Sequence, residues 1–573
     1  MIFGILPLLV LGGIIALVVR IAGRRGERSA SEQAGSSVRR FFQYALMYGV
    51  LVVVAIGVTG LLSEIMPGGE AELTTDRAAL ARSLAFVIIG APVFVGLALW
   101  TRRLLDTEEG ERASFGWTLY LGAATLTALW TAGWGIFEVL AWLFRAEDFD
   151  PGTLAIAIVW TPVWAVHWWI ADHHGDRTRL RLATLAGSGT GLIALATAVG
   201  GALTTALGSI YEAAFETSVV SNLSDDLGMA GAGFLVGAAI WWWYWLRHAA
   251  TDERESVWHA YVLLVGVLGG LVTAIVAVAA VLYALLEWAF GNPTAINAAQ
   301  QFDIVPASIG SGAVAAWVWW YHRAVLRSRP ETTRVEVDRV YDYLIAGVGL
   351  VAATGGITTV VVALIEALSP AGIVEVGSSA ANTLVTAVTL LLVGGPIWWI
   401  FWSRIQQLRD GNTAVELQSP TRRVYLFALF GVGGLVALIA LLVLTVNGIE
   451  AVIEGRFGAE TIRDVRVSIA LVLTLGALAG YHWTVYGHDR DEAPAESRPI
   501  VRDVVLVGTN GAALASAIED QLGARVRVWR RLDSPTRDVD PDAALAALRV
   551  ERHEHVLVVA GPSGVQVVPF EES

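Results

Sequence analysis

Residues 162–174 read PVWAVHWWIADHH, which puts three tryptophans and three histidines into thirteen positions. Histidine is the usual side-chain ligand of haem iron. Tryptophan stacks on flat ligands and also settles at membrane surfaces. One chemistry these residues fit is a haem or quinone pocket. Trp164 and Trp168, four apart on one helix face, would wall it. His167, His173, His174 and His482 would be its ligands, and Trp483 stands beside His482 in LAGYHWTVY. A bis-histidine haem needs two imidazoles facing each other at matched depth, yet each of these histidines lies near arginine at the end of an apolar run. An interfacial aromatic belt with arginines snorkelling beside it accounts for the same residues, as does plain helix packing. No cofactor and no metal is assigned on this basis. The chain has no cysteine, which excludes disulfides, thiolate metal sites and a cysteine nucleophile.

A second set of candidates is a row of carboxylates. Glu64, Glu138, Glu212, Glu287, Glu366 and Glu450 recur at spacings of 74, 74, 75, 79 and 84 residues, each close to the end of an apolar run. An unpaired carboxylate in a membrane costs a few kcal/mol, on the order of 3. Six at equivalent places read either as an ion or proton pathway or as interfacial groups bonded to neighbouring helices. Glu138 and Glu287 have the most apolar surroundings and are the stronger pathway candidates.

The elements that must carry these residues are membrane helices. Of 573 residues 55% are hydrophobic and 16% charged, against about 25% charged in soluble proteins. The net charge of −13 is no sign of nucleic-acid binding. Runs of about 20 apolar residues span a bilayer as helices. Thirteen are predicted, near 2–20, 41–65, 81–101, 116–144, 154–171, 180–211, 228–246, 258–290, 305–325, 340–368, 383–403, 424–450 and 467–486. The first is followed, not preceded, by basic residues and reads as a retained helix, not a signal peptide. Every basic residue other than histidine is arginine; alternate loops carry 23 on one side and 6 on the other. The positive-inside rule makes the richer side cytoplasmic. The expected setting is a bacterial plasma membrane, with the N-terminus outside and the C-terminus in the cytoplasm.

The expected fold is thus an all-α polytopic membrane protein with a small C-terminal α/β soluble domain. Residues 1–38 form one helix and a basic linker. Residues 39–487 form six parallel two-helix repeats, approximately 39–103, 112–174, 179–248, 256–327, 338–409 and 421–487. Within each, the first helix ends at a row glutamate and the second at an aromatic cluster; these clusters hold fifteen of the 23 tryptophans. Glycine- and alanine-rich stretches such as 187–203 and 266–280 allow close helix packing. Residues 488–498 read as a linker. Residues 499–573 predict β-α-β-α-β-β, with Asp540 and Pro541 starting a helix and Gly523 ending one. Gly508 and Gly511 fit a phosphate loop only weakly, and a plain turn with Asn510 as cap fits as well. His553 and His555 are expected at the surface.

Pro162, Trp164, His167 and Trp168, late in a helix, resemble the signature of a bacterial membrane family, domain of unknown function 5671. So do the Arg-aromatic helix starts RRFFQY (39–44), DRVYDY (338–343) and RRVYLF (422–427). The sixth unit keeps His482 and Trp483; the fifth has Phe401 in place of the histidine. The resemblance implies an integral membrane protein in several repeated copies and no particular activity. Three functional readings follow. The first is a non-enzymatic structural, scaffold or regulatory component with a cytoplasmic interaction domain. The second is a transporter or channel using the glutamates, and the third a haem- or quinone-binding redox protein. The expected partners are the bilayer and a protein at the cytoplasmic face or a second copy of the chain, not nucleic acid.

Overall fold

The computed structural model describes residues 30–66, 77–108, 110–215, 223–250, 256–327, 336–368, 379–411, 416–417, 419–492, 501–507, 511–529, 539–551, 553–561 and 564–570. The predicted segment 2–20 lies outside them, as do the candidate loop residues Gly508 and Asn510. Twelve helices among the described residues are long and apolar enough to cross a membrane. They are α1 (Ala30–Ile65), α2 (Arg77–Thr107), α3 (Phe115–Leu143), α4 (Pro151–His174), α5 (Arg177–Phe215) and α6 (Leu223–Ala249). After them come α7 (Ser256–Phe290), α9 (Val305–Arg327), α10 (Glu336–Leu368), α11 (Ala380–Gly411), α12 (Pro420–Ile453) and α14 (Arg466–Glu492), with the short α8 (Ala298–Gln301) and α13 (Ala459–Asp464) between.

Local chemistry sets the starts. Ser114 caps α3 by accepting the Trp117 N–H. Asp150 caps α4 by accepting those of Gly152 and Thr153, with Pro151 in the first turn. Several helices overrun their apolar runs. The predicted linker at 488–498 begins inside α14, whose last turn carries a His488–Glu492 pair at 2.9 Å. Pro92, Pro162 and Pro396 all lie within helices that continue past them.

The described chain divides into two compact units. The first runs to Asp410 and resumes from Val424 to His482; the second takes Gly411–Arg423 and the chain from Trp483 onward. In the helical unit α1 packs on α2, α3 on α4 and α5 on α6, while α9 lies against both α5 and α7. Neighbouring groups meet where α3 touches α5 and α6, and where α7 touches α10. Glycine permits the tightest crossing: a Cβ at Gly191 of α5 would collide with the Trp241 backbone, and one at Gly237 of α6 with that of Leu195. At the arginine-rich end, Glu111 is fully buried. It accepts from Arg40 Nε at 2.6 Å and from the Tyr44 hydroxyl at 2.8 Å, tying α1 to the turn before α3.

The second unit contains β1 (Asp503–Val507), α15 (Gly511–Leu522), β2 (Arg525–Trp529), α16 (Pro541–Val550), β3 (His555–Gly561) and β4 (Gly564–Pro569). The sheet order is β2-β1-β3-β4, parallel except for the β3–β4 hairpin. Val504, Leu506, Val556 and Val558 pack with Leu514, Ile518, Leu545 and Leu548 in one core. Gly523 has φ +64° just after α15, a conformation that favours glycine. In the same unit the buried Arg422 grips Asp489 in two bonds, at 2.6 and 3.1 Å. His553 is exposed; His555 is half-buried, 3.2 Å from Asp503 on the neighbouring strand.

Candidate functional site

Three histidines occupy matching places in the helical unit: His167 on α4, His322 on α9 and His482 on α14. Their residues are 5%, 0% and 0% exposed. Each places Nδ1 against the carbonyl oxygen four residues earlier, Val163 at 2.7 Å, Val318 at 2.9 Å and Leu478 at 2.9 Å. A carbonyl only accepts, so Nδ1 carries the hydrogen and Nε2 is left as an acceptor in the neutral ring. Beside each ring stands a tyrosine from the preceding long helix: Tyr120 of α3, Tyr261 of α7 and Tyr425 of α12.

At the first site the Tyr120 hydroxyl lies 2.9 Å from His167 Nε2 and donates to it. At the other two the rings stand farther apart, 6.3 and 6.2 Å between centroids against 5.7 Å. There His322 Nε2, His482 Nε2 and the hydroxyls of Tyr261 and Tyr425 are buried without a hydrogen bond. An extra ring accompanies this spacing. Trp245 of α6 lies 5.2 Å from Tyr261 and 5.6 Å from His322. Trp402 of α11 lies 5.9 Å from Tyr425 and 5.8 Å from His482. Each indole also donates its N–H to the tyrosine preceding the histidine: Trp245 to Tyr321 at 2.9 Å, Trp402 to Tyr481 at 3.1 Å. The first site has Val166 at that position, and Trp117 stacks on Tyr120 instead.

The second site has a further distinction. Two π-helical stretches, Trp242–Ala249 in α6 and Val262–Gly269 in α7, both border it. Gly266, in the second stretch, is so close to the His322 ring that a Cβ would collide with it. The space beside these imidazoles is therefore filled by indole, phenol and backbone. The clefts at Arg323, Tyr341 and Arg404 and at Asp503, Glu519 and Arg525 are lined by other side chains.

The aromatic clusters thus have two faces. Trp169, Trp242, Trp317, Trp320, Trp399 and Trp483 are at least half exposed, as a membrane belt requires. The belt expectation fails for His167 and His482, which are interior residues, as are His322, Trp245 and Trp402. Trp164 and Trp168 are half-buried. Trp164 donates to the Tyr244 hydroxyl at 2.8 Å, and Trp168 sits edge-on to Tyr244 and His248, joining α4 to α6. His173 and His174 are exposed.

The six glutamates have separate surroundings. Glu64 and Glu450 are exposed, Glu450 lying 3.9 Å from Arg456. Glu138 and Glu212 are partly buried. Glu366 is paired with Arg466 at 2.9 Å. Glu287 accepts from three neutral donors, Tyr283 at 3.0 Å, Gln301 at 2.9 Å and Asn382 at 3.0 Å. None of these partners is shared between two glutamates.

Sequence reasoning passed over His322, the three tyrosines, Trp245 and Trp402. The available signals were the Tyr-His dipeptides at 321–322 and 481–482 and the Trp-x-x-Tyr spacing at 117–120 and 258–261.

The model of a family described as "Domain of unknown function (DUF5671)" matches residues 40–153, 181–321 and 339–477, well over half of the chain in three copies. The second and third matches each begin near a helix start and take in four long helices, ending within α9 and α14. No curated protein and no solved structure matches the chain.

Proposed function

The chain belongs to the DUF5671 family, and from that membership we propose that it is a non-enzymatic integral-membrane scaffold. In this reading the six two-helix units, taken in pairs by the three family copies, form a rigid frame in the plasma membrane. The arginine-rich side faces the cytoplasm, and the C-terminal α/β unit is the interaction module on that side. The observation that carries the reading is the recurrence of the histidine–tyrosine pair between α3 and α4, between α7 and α9 and between α12 and α14, each histidine lying beyond the end of a family match. Packing and interhelical hydrogen bonds, rather than a hydrophobic drive, hold helices together in lipid. A buried ring tied to its own backbone and packed on a neighbour's phenol is such a contact, repeated three times.

The cysteine-free chain makes the topology test direct. Single substitutions at exposed positions, Ile65→Cys near the glutamate row and Val550→Cys in the α/β unit, are labelled with a membrane-impermeant maleimide on intact cells and on inverted vesicles. The reading expects Ile65→Cys to react only from outside and Val550→Cys only from the cytoplasmic side. Labelling of both from one side overturns it. In proteoliposomes the scaffold reading expects no proton or cation flux above that of protein-free vesicles, and purified protein is expected to show no Soret band.

A second reading, an ion pathway, has one observation in its favour. Glu287 is held by neutral donors alone, with no arginine partner among the described residues. It predicts a flux that Glu287→Gln abolishes. Flux that survives this substitution removes its support.

A further inference from the structure

We propose that a cleft between α9, α10 and α11 binds the phosphate of an anionic phospholipid. The cleft is lined by Arg323, Leu326, Arg327, Val337, Asp338, Tyr341, Asp342 and Arg404. It lies where the second family copy meets the third.

Arg323 is held rather than mobile. Its guanidinium carbon is 5.4 Å from the centroids of both the Trp319 and Tyr341 rings, a cation–π placement on two sides. Its Nε is buried without an acceptor. The acidic groups of the cleft do not neutralise it. Asp342 lies 3.8 Å from Arg404, and Asp338 is exposed. The nearby Arg339 is engaged by Glu336 at 2.8 Å. Among the described residues Arg323 and Arg327 have no carboxylate partner, so two guanidiniums present N–H donors to the cleft. Guanidinium forks match phosphate oxygens in geometry and charge.

The lipid source is favoured by depth. Trp320 stands one turn before Arg323 on α9, and Trp399 little more than one turn before Arg404 on α11; both are exposed. Exposed tryptophans sit at the headgroup level, so the arginines just beyond them lie among lipid phosphates. Basic pockets between membrane helices are known headgroup sites in general. Leu326 and Val337 give the same cleft an apolar wall.

The test uses the full chain purified in detergent. Phosphatidylglycerol, phosphatidylcholine and inorganic phosphate are the probes, and native mass spectrometry reads the binding. The expectation is that phosphatidylglycerol binds in preference to phosphatidylcholine. Each arginine removed, in R323Q or R327Q, weakens this about fivefold, and the double variant about 25-fold. R247Q is the control, because Arg247 lies over Trp242 and Trp243 away from the cleft; it is expected to bind like the parent. R327Q changes an exposed residue, so it keeps the test valid if R323Q misfolds, which circular dichroism reports. Equal weakening by R247Q overturns the site, and so does unchanged binding in the double variant. Displacement of the lipid by inorganic phosphate overturns the lipid assignment.

Discussion

The two ends of the helical unit repeat different things. At the arginine-rich end a contact recurs: a buried histidine, the carbonyl four residues before it and a tyrosine from the preceding long helix, three times over. At the other end only a residue type recurs. Its six glutamates include one paired closely with Arg466, one held by amides and a phenol, and two that are exposed, of which Glu450 lies 3.9 Å from Arg456. Regular spacing in a sequence is therefore evidence of repeated helices, but not of repeated environments. The environment is repeated only where partners also lie inside the repeat.

The largest expected effect separates the inner from the outer tryptophans. Trp245→Ala is expected to lower stability by about 3 kcal/mol, as for a large ring removed from a packed interior. Trp242→Ala, which takes away a ring half in contact with the surroundings, is expected to stay within about 0.5 kcal/mol. Unfolding in mixed micelles measures both. Equal losses would mean that the two faces of the cluster are not distinct.

At the glutamate end, Glu366→Gln is expected to cost about 2 kcal/mol, because it takes a charge-assisted bond from Arg466. Glu450→Gln at its exposed position is expected to change almost nothing. Matching losses would restore the picture of one equivalent row. A finer comparison sets the three tyrosines against one another. Tyr120→Phe deletes a bond to His167 and is expected to cost about 1 kcal/mol. Tyr261→Phe and Tyr425→Phe remove hydroxyls that make no bond and are expected to cost less than half of that. The ranking, read by thermal unfolding, is the result that matters.

The smallest effect concerns pH. Desolvation is the largest single influence and raises the Glu108 carboxyl, but bonds and charge from Arg40 and Arg39 together hold it below its usual 4.5. A lowered folded value means that its contribution is complete above pH 4.5 and fades as the pH falls below it. Glu108→Gln is accordingly expected to lower the melting temperature slightly near neutrality and to leave it unchanged well below pH 4.5, so that the acid limb of the profile flattens.

Much of the helical frame was readable in the sequence, because apolar length and loop arginines are local signals. The family was readable from the sequence, where the helix starts at 39–44, 338–343 and 422–427 fall at or within the matched segments, while Pro162, Trp164, His167 and Trp168 lie between the first match and the second. The inward direction of the histidines was not. A run such as Trp241-Trp242-Trp243-Tyr244-Trp245 has no period from which to tell inside from outside. The glutamate partners were equally hidden: Asn382 is 95 residues from Glu287 and Arg466 is 100 from Glu366.

The π-helical stretch in α6 has a consequence for that run. Its N–H groups reach five residues back, as when Ala250 donates to Trp245 at 2.8 Å. In an ordinary helix each residue advances about 100°, so one residue more in a turn rotates everything beyond it by about that angle relative to an uninterrupted helix. Adjacent Tyr244 and Trp245 both lie inside, although neighbouring positions on an α-helix face apart. The choice of which aromatic points inward is thus stored in the hydrogen-bond ladder. Inserting or deleting one residue between 242 and 249 would reassign inside and outside without altering the composition of the cluster.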